Sequence, residues 1–135
     1  MTVLLGYLPS LEGNAAFAQA LAEAARRSTD LVVINSGRAG AHVDPALASQ
    51  ADLDRLRAEA AEVTVMIEIR QPVDGHSAAD DLIDASTEDG VDLTVIGLRR
   101  RTAVGKFVLG SSAQRVLMEA HTPVLAVKAT HEEMS

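Results

Sequence analysis

Apolar residues in this chain gather in five short runs separated by longer alanine-rich stretches. Val3 to Leu5, Leu31 to Ile34, Val63 to Ile69, Leu93 to Ile96 and Val124 to Val127 are rich in Val, Ile and Leu and have the length of strands. Four intervening stretches read as helices. The first starts at Ser10, an N-cap residue, and repeats Phe17, Leu21 and Ala25 every four positions down one face. The second opens with Asp44-Pro45, a cap followed by proline at the first helical position, and carries Leu47, Leu53, Leu56 and Ala60. The third runs from the capping-box pattern Ser77-Ala-Ala-Asp80 to Gly90, a natural left-handed terminator. The fourth runs from a cap at Ser111 or Ser112 to Ala120, because Pro123 bars continuation. The resulting βαβαβαβαβ order predicts an α/β domain, a doubly wound parallel sheet with right-handed crossovers and helices on both faces.

Strand patterning places three of the strands within that sheet. Leu31-Val-Val-Ile34 and Leu93-Thr-Val-Ile96 are nearly continuous apolar runs, as expected of strands covered on both sides. Val63, Val65, Ile67 and Ile69 alternate with Thr64, Met66, Glu68 and Arg70, which predicts a half-buried edge. Val124-Leu125-Ala126-Val127 has no interior charge to discourage pairing; if it forms the opposite edge, something should cover it.

At 135 residues the chain fits one domain, expected over 1–128, with a polar tail over 129–135. With 12 basic against 19 acidic residues, the net charge of −7 repels nucleic acid and anionic lipid. Tyr7, Phe17 and Phe107 are the only aromatic residues, too few for a platform on which bases stack. The chain has no cysteine, which removes disulfides and thiolate chemistry. No apolar run reaches the ~18 residues that span a bilayer. The expectation is a cytoplasmic protein that binds neither nucleic acid nor membrane.

Ligands of open parallel sheets bind beyond the carboxyl ends of the strands. The loop after the fourth strand, Gly97 to Ser112, holds Gly97, Gly105 and Gly110 and runs into a helix N-terminus. Glycines admit close approach to backbone, and free helix amides accept an anion. Arg99, Arg100, Arg101, Lys106 and Arg115 make this region positive with no acid, while the remainder holds the other seven basic residues and all nineteen acids. Three consecutive arginines alone would be a solvated run; beside glycines and a serine-bearing helix start they point to an anion site. Gly105-Lys106 does not satisfy a P-loop, since Phe107 follows the lysine. His42, His76, His121 and His131 lack metal-ligand spacing, and Asp80, Asp81 and Asp84 read as acids favoured by a helix dipole. No G-x-S-x-G elbow makes Ser111 or Ser112 a nucleophile.

From Val-Ile96-Gly97 through Gly110-Ser111-Ser112 to Val116, and again at His121-Thr-Pro-Val-Leu-Ala-Val-Lys128, the chain resembles the universal stress protein family. Members that bind ATP carry G-x2-G-x9-G-[ST]; Gly97, Gly110 and Ser111 match it, and Arg100 replaces the second glycine. Leu8 stands where such members have an Asp in the first strand's turn, and it cannot accept a hydrogen bond from a ligand. Backbone groups of Tyr7, Leu8 and Ser36 could still meet adenine, although turn packing accounts for Leu8 and Pro9 equally well. Arg100 either fills the cradle that glycine leaves open or pairs with phosphate.

The resemblance implies an adenine nucleotide alpha hydrolase-like fold with strand order 3-2-1-4-5. It also implies a homodimer paired through Val124, Leu125, Ala126 and Val127. The nucleotide site would comprise Tyr7, Leu8, Ser36, Ile96, Gly97, Arg100, Gly110, Ser111 and Ser112, with ATP or AMP as ligand and Mg²⁺ accompanying ATP. The expected function is stress-response regulation by nucleotide binding, without catalytic residues. The alternative is a ligand-free dimeric module docking a partner through Arg99 to Arg101. Weak ATP hydrolysis ranks last, because the phosphate loop contains no acid.

Overall fold

A computed structural model describes residues 1–36, 47–72, 76–100 and 107–129, without the side chains of 99, 100, 107 and 108. Its elements are β1 (Thr2–Gly6), α1 (Leu11–Arg27), β2 (Asp30–Ile34), α2 (Gln50–Glu62), β3 (Ile67–Arg70), α3 (Ala78–Ala85), β4 (Val91–Arg100), β5 (Phe107–Val108), α4 (Ser111–Glu119) and β6 (Val124–Lys128). Five parallel strands lie in the order β3-β2-β1-β4-β6. This is the expected 3-2-1-4-5 arrangement once β5, a two-residue antiparallel partner of Arg99 and Arg100, is set aside.

Period-two alternation divides each central strand between two cores. Val3, Leu5, Leu31, Val33, Leu93 and Val95 face α1 and α2, while Leu4, Ile34 and Ile96 face α3 and α4. The winding therefore reverses between β1 and β4, the neighbours at the centre of the sheet. The edges are β3 and β6, each hydrogen-bonded on one side.

Several element boundaries differ from the sequence expectation for local reasons. The third strand does not begin at Val63. The amides of Val63, Thr64 and Val65 turn back to the carbonyls of Ala60 and Ala61, closing α2 with Thr64 left-handed at φ 58°, so they are unavailable to the sheet until Ile67. On α1 the buried stripe is Ala16, Phe17, Ala20, Leu21 and Ala24; Ala25 is exposed, because a 3.6-residue period drifts off an i+4 series. Leu47 precedes α2, which is capped by Ser49 in a capping box with Asp52. Asp44 and Pro45 lie outside the described residues. The box at Ser77 and Asp80 forms as expected, but α3 ends at Ala85; Gly90 is left-handed, with φ 86°, at the entry to β4. Gly110 is the N-cap of α4, neither Ser111 nor Ser112, and no side chain caps that end. Ala129, expected to open the tail, is buried, and 130–135 lie outside the described residues.

Candidate functional site

The carboxyl ends of β1 and β4, the start of α1 and the faces of α3 and α4 enclose a cavity of about 200 Å³. Tyr7, Leu8, Ser36, Ile96, Gly97 and Ser112 line it, so the structure brings six of the nine expected site residues together. Gly110 and Ser111 stand at the α4 N-terminus outside that lining. The side chain of Arg100 is outside the description, as are residues 101–106, which include Arg101, Gly105 and Lys106. Sequence reasoning missed the contribution of α3: Ala78, Ala79 and Leu82 close one wall, opposite Gly13 and Glu12 of α1. The rule that ligands sit where winding reverses could have flagged the start of α1, which follows β1 directly. Nothing in the sequence places α3 over the mouth.

The walls are mostly aliphatic, and much of the polar backbone beneath them is already engaged. The Tyr7 amide donates to the Ile34 carbonyl at 2.9 Å, and the Tyr7 carbonyl accepts from Asn35 Nδ2 at 2.9 Å. The Leu8 carbonyl accepts from the Ser10 amide at 2.9 Å. Of the backbone groups expected to meet adenine, those of Tyr7 thus serve the fold. Asn35, fully buried, also accepts through Oδ1 from the Ala48 amide at 2.7 Å and Gln71 Nε2 at 3.0 Å, pinning the segment after β2. Ser36 Oγ donates to Asp81 Oδ2 at 2.7 Å, and both residues are buried.

Two glycines at the mouth are needed by the protein itself. A Cβ on Gly97 would lie 2.6 Å from the Glu12 carbonyl oxygen, so Gly97 lets the first turn of α1 approach β4. A Cβ on Gly13 would lie 1.8 Å from the Leu8 carbonyl oxygen, inside the turn that launches α1. Gly110 has φ −70°, open to any residue, and leaves the α4 amides without a competing side-chain cap.

Electrostatics around the cavity are less uniform than the sequence count implies. Arg115, counted with the positive loop, pairs with Asp80 Oδ1 at 2.9 Å and Glu119 Oε2 at 3.1 Å, tying α4 to α3. Its hydrogen bond, reinforced by those of Ser77, holds the Asp80 carboxyl below the usual range. The Tyr7 hydroxyl donates to Asn14 Oδ1 at 2.7 Å and accepts from Arg55 Nη2 at 3.2 Å. Burial pushes this phenol above its ordinary value, and the Arg55 charge opposes the shift. His76 and His121 are exposed, and the His121 amide donates to Ser86 Oγ at 3.1 Å. Asp81 is more than a dipole-favoured acid, since its carboxylate reaches the residue that floors the cavity.

The sequence profile of the Universal stress protein family matches residues 1–128. A universal stress protein of Mycolicibacterium smegmatis is 42% identical over 126 residues, which cover 93% of this chain and 96% of that protein. A universal stress protein from Archaeoglobus fulgidus has the same fold, with a TM-score of 0.79 at 24% identity over 95% of this chain and 98% of its own. Another universal stress protein, solved in complex with cAMP, matches with a TM-score of 0.74 at 26% identity over 96% of this chain and 98% of its own. Sequence and fold agree over nearly the whole length, and the chain belongs to the universal stress protein family.

Proposed function

We propose that this protein binds an adenine nucleotide in the cavity between β1 and β4 and acts in stress response as a cytoplasmic regulatory protein that does not turn its ligand over. The observation that carries the reading is the cavity itself, an aliphatic slot at the carboxyl ends of the strands with the N-terminal turn of α4 on its rim. A purine has two apolar faces, and Leu82, Ile96 and Val116 offer surface against which burial is favourable at roughly 25 cal/mol per Å². About 200 Å³ holds a base, with the rest of the nucleotide at the mouth.

Phosphate would lie toward Gly110, Ser111 and Ser112. The amides of 111–113 have no acceptor within the helix, and the positive dipole end favours an anion. Arg99 and Arg100 end β4 and Arg101 follows them in the sequence, so this stretch of chain adds positive charge on the way to α4. Mg²⁺ would accompany ATP, whereas AMP or cAMP requires no metal. The relative solved with cAMP supports the same ligand class for this fold.

Calorimetric titration with AMP, cAMP and ATP tests the reading, with saturable heat expected. Ala113→Phe should abolish that heat, because Ala113, half-buried against the core under α3 and α4, lines the cavity and a ring there fills the slot; a thermal melt establishes that the variant is folded. Wild-type protein that gives no saturable heat at millimolar nucleotide would refute nucleotide binding.

A further inference from the structure

We infer that Ser36, held by the buried carboxylate of Asp81, selects a purine bearing a 6-amino group over one bearing a 6-oxo group; this rests on the nucleotide reading above. Ser36 follows β2 by two residues, lines the cavity and is 6% exposed. Its Oγ lies 2.7 Å from Asp81 Oδ2. Asp81, 8% exposed, occupies the first turn of α3, where the helix dipole favours the ionised form. A carboxylate only accepts, so the single hydroxyl proton of Ser36 is committed to it. Among the described residues nothing donates to the Ser36 oxygen, which therefore presents lone pairs alone.

The chemistry of the base follows from that polarity. The 6-amino group of adenine is a donor and can satisfy the Ser36 oxygen. A 6-oxo group is an acceptor, and at the same place it would set oxygen against oxygen with no proton between them. Ile34, Leu82 and Ile96 line the same cavity without a polar side-chain atom, and the Tyr7 hydroxyl is engaged by Asn14 and Arg55. The other polar lining side chains, Ser10, Glu12 and Ser112, stand at the starts of α1 and α4, so a mismatch at Ser36 would leave one buried group unpaired. The negative charge behind the hydroxyl strengthens it as an acceptor.

Competitive titration of AMP, IMP and purine riboside 5′-monophosphate tests the inference, the last ligand lacking any 6-substituent. Wild-type protein should prefer AMP to either by about tenfold or more, the value of one well-made buried hydrogen bond. Ser36→Ala should bring the three within about threefold of one another. Asp81→Asn, whose amide can donate to Ser36 and release its proton toward the ligand, should shift the AMP to IMP ratio toward IMP by about tenfold. Thermal melts establish that each variant is folded, and a purely structural role would weaken all three ligands alike. A wild-type protein that binds AMP and IMP equally overturns the inference and leaves nucleotide binding standing, as does Ser36→Ala with an unchanged ratio. Binding of none of the three ligands removes the nucleotide reading and the inference together.

Discussion

Gly13 shows how little a residue type says until its surroundings are known. Within a helix, Gly→Ala ordinarily stabilises by about 1 kcal/mol. Here the added Cβ would meet the Leu8 carbonyl oxygen at 1.8 Å, and backbone cannot rotate away as a side chain can. Gly13→Ala should therefore destabilise by about 2 kcal/mol or more, read as a lower urea midpoint, with Gly97→Ala milder because its contact is 2.6 Å. Tyr7 carries a second prediction at this scale. It is the single tyrosine and the chain has no tryptophan, so ultraviolet difference absorbance reports its ionisation alone. Burial holds its proton more tightly in the folded protein than in the unfolded chain. The associated stability is complete below the ordinary phenol value of about 10 and is lost as pH rises through the higher folded value. The folded protein should titrate later than the same chain in urea; coincident curves would contradict the burial of this hydroxyl.

Helix starts carry the predictions that belong to elements. On α1 the side chain of Ser10 accepts from the Gly13 amide at 3.0 Å, so Ser10→Ala should cost about 1 kcal/mol in urea denaturation. The start of α4 lacks such a cap, and its amides are the proposed phosphate donors. Gly110→Asp would occupy those donors with a carboxylate at a backbone conformation that aspartate adopts freely. Its stability should stay within about 0.5 kcal/mol of wild type while AMP affinity falls at least about tenfold, a separation that calorimetry and melting resolve. Unchanged affinity would place the phosphate elsewhere. This contrast between α1 and α4 was only partly visible in the sequence: Ser10 announced its cap, whereas Ser111 and Ser112 read equally well as caps. The chain enters α4 one residue earlier than those serines suggest.

At the scale of the whole molecule, β6 is the exposed question. It pairs with β4 on one side, and Val124 to Val127 carry no charge to oppose pairing on the other. We expect a second copy to pair there across a twofold axis, giving a dimer in sedimentation at tens of micromolar; a monomer at that concentration would contradict it. Acid lability belongs to this scale too. Asp52, Asp80, Glu23 and Glu88 are all held below the usual carboxylate range, the first by the Ser49 amide and the others chiefly by hydrogen bonds from Arg115, Arg26 and Arg70. Lowered folded values mean that their contribution is present above the ordinary values of about 4 and is lost as pH falls through the folded ones. Urea midpoints should hold steady from about pH 8 to pH 5 and then decline. The decline should be shallow, because these pairs sit in solvent and salt screens them.

The sequence by itself determined the alternation of strand and helix, the double cover of β2 and β4, the edge character of β3 and the family. Each of these is written in short-range periodicity or in a motif of fixed spacing. It also pointed to the end of the sheet where the cavity lies, since chain order and winding fix the reversal. Only the tertiary structure decided that Gly97 yields to the first turn of α1, that Arg115 is neutralised by Asp80, and that Asp81 reaches Ser36. Those outcomes join residues far apart in the chain, and a linear pattern holds no record of which distant groups will share one hydrogen bond or one van der Waals contact.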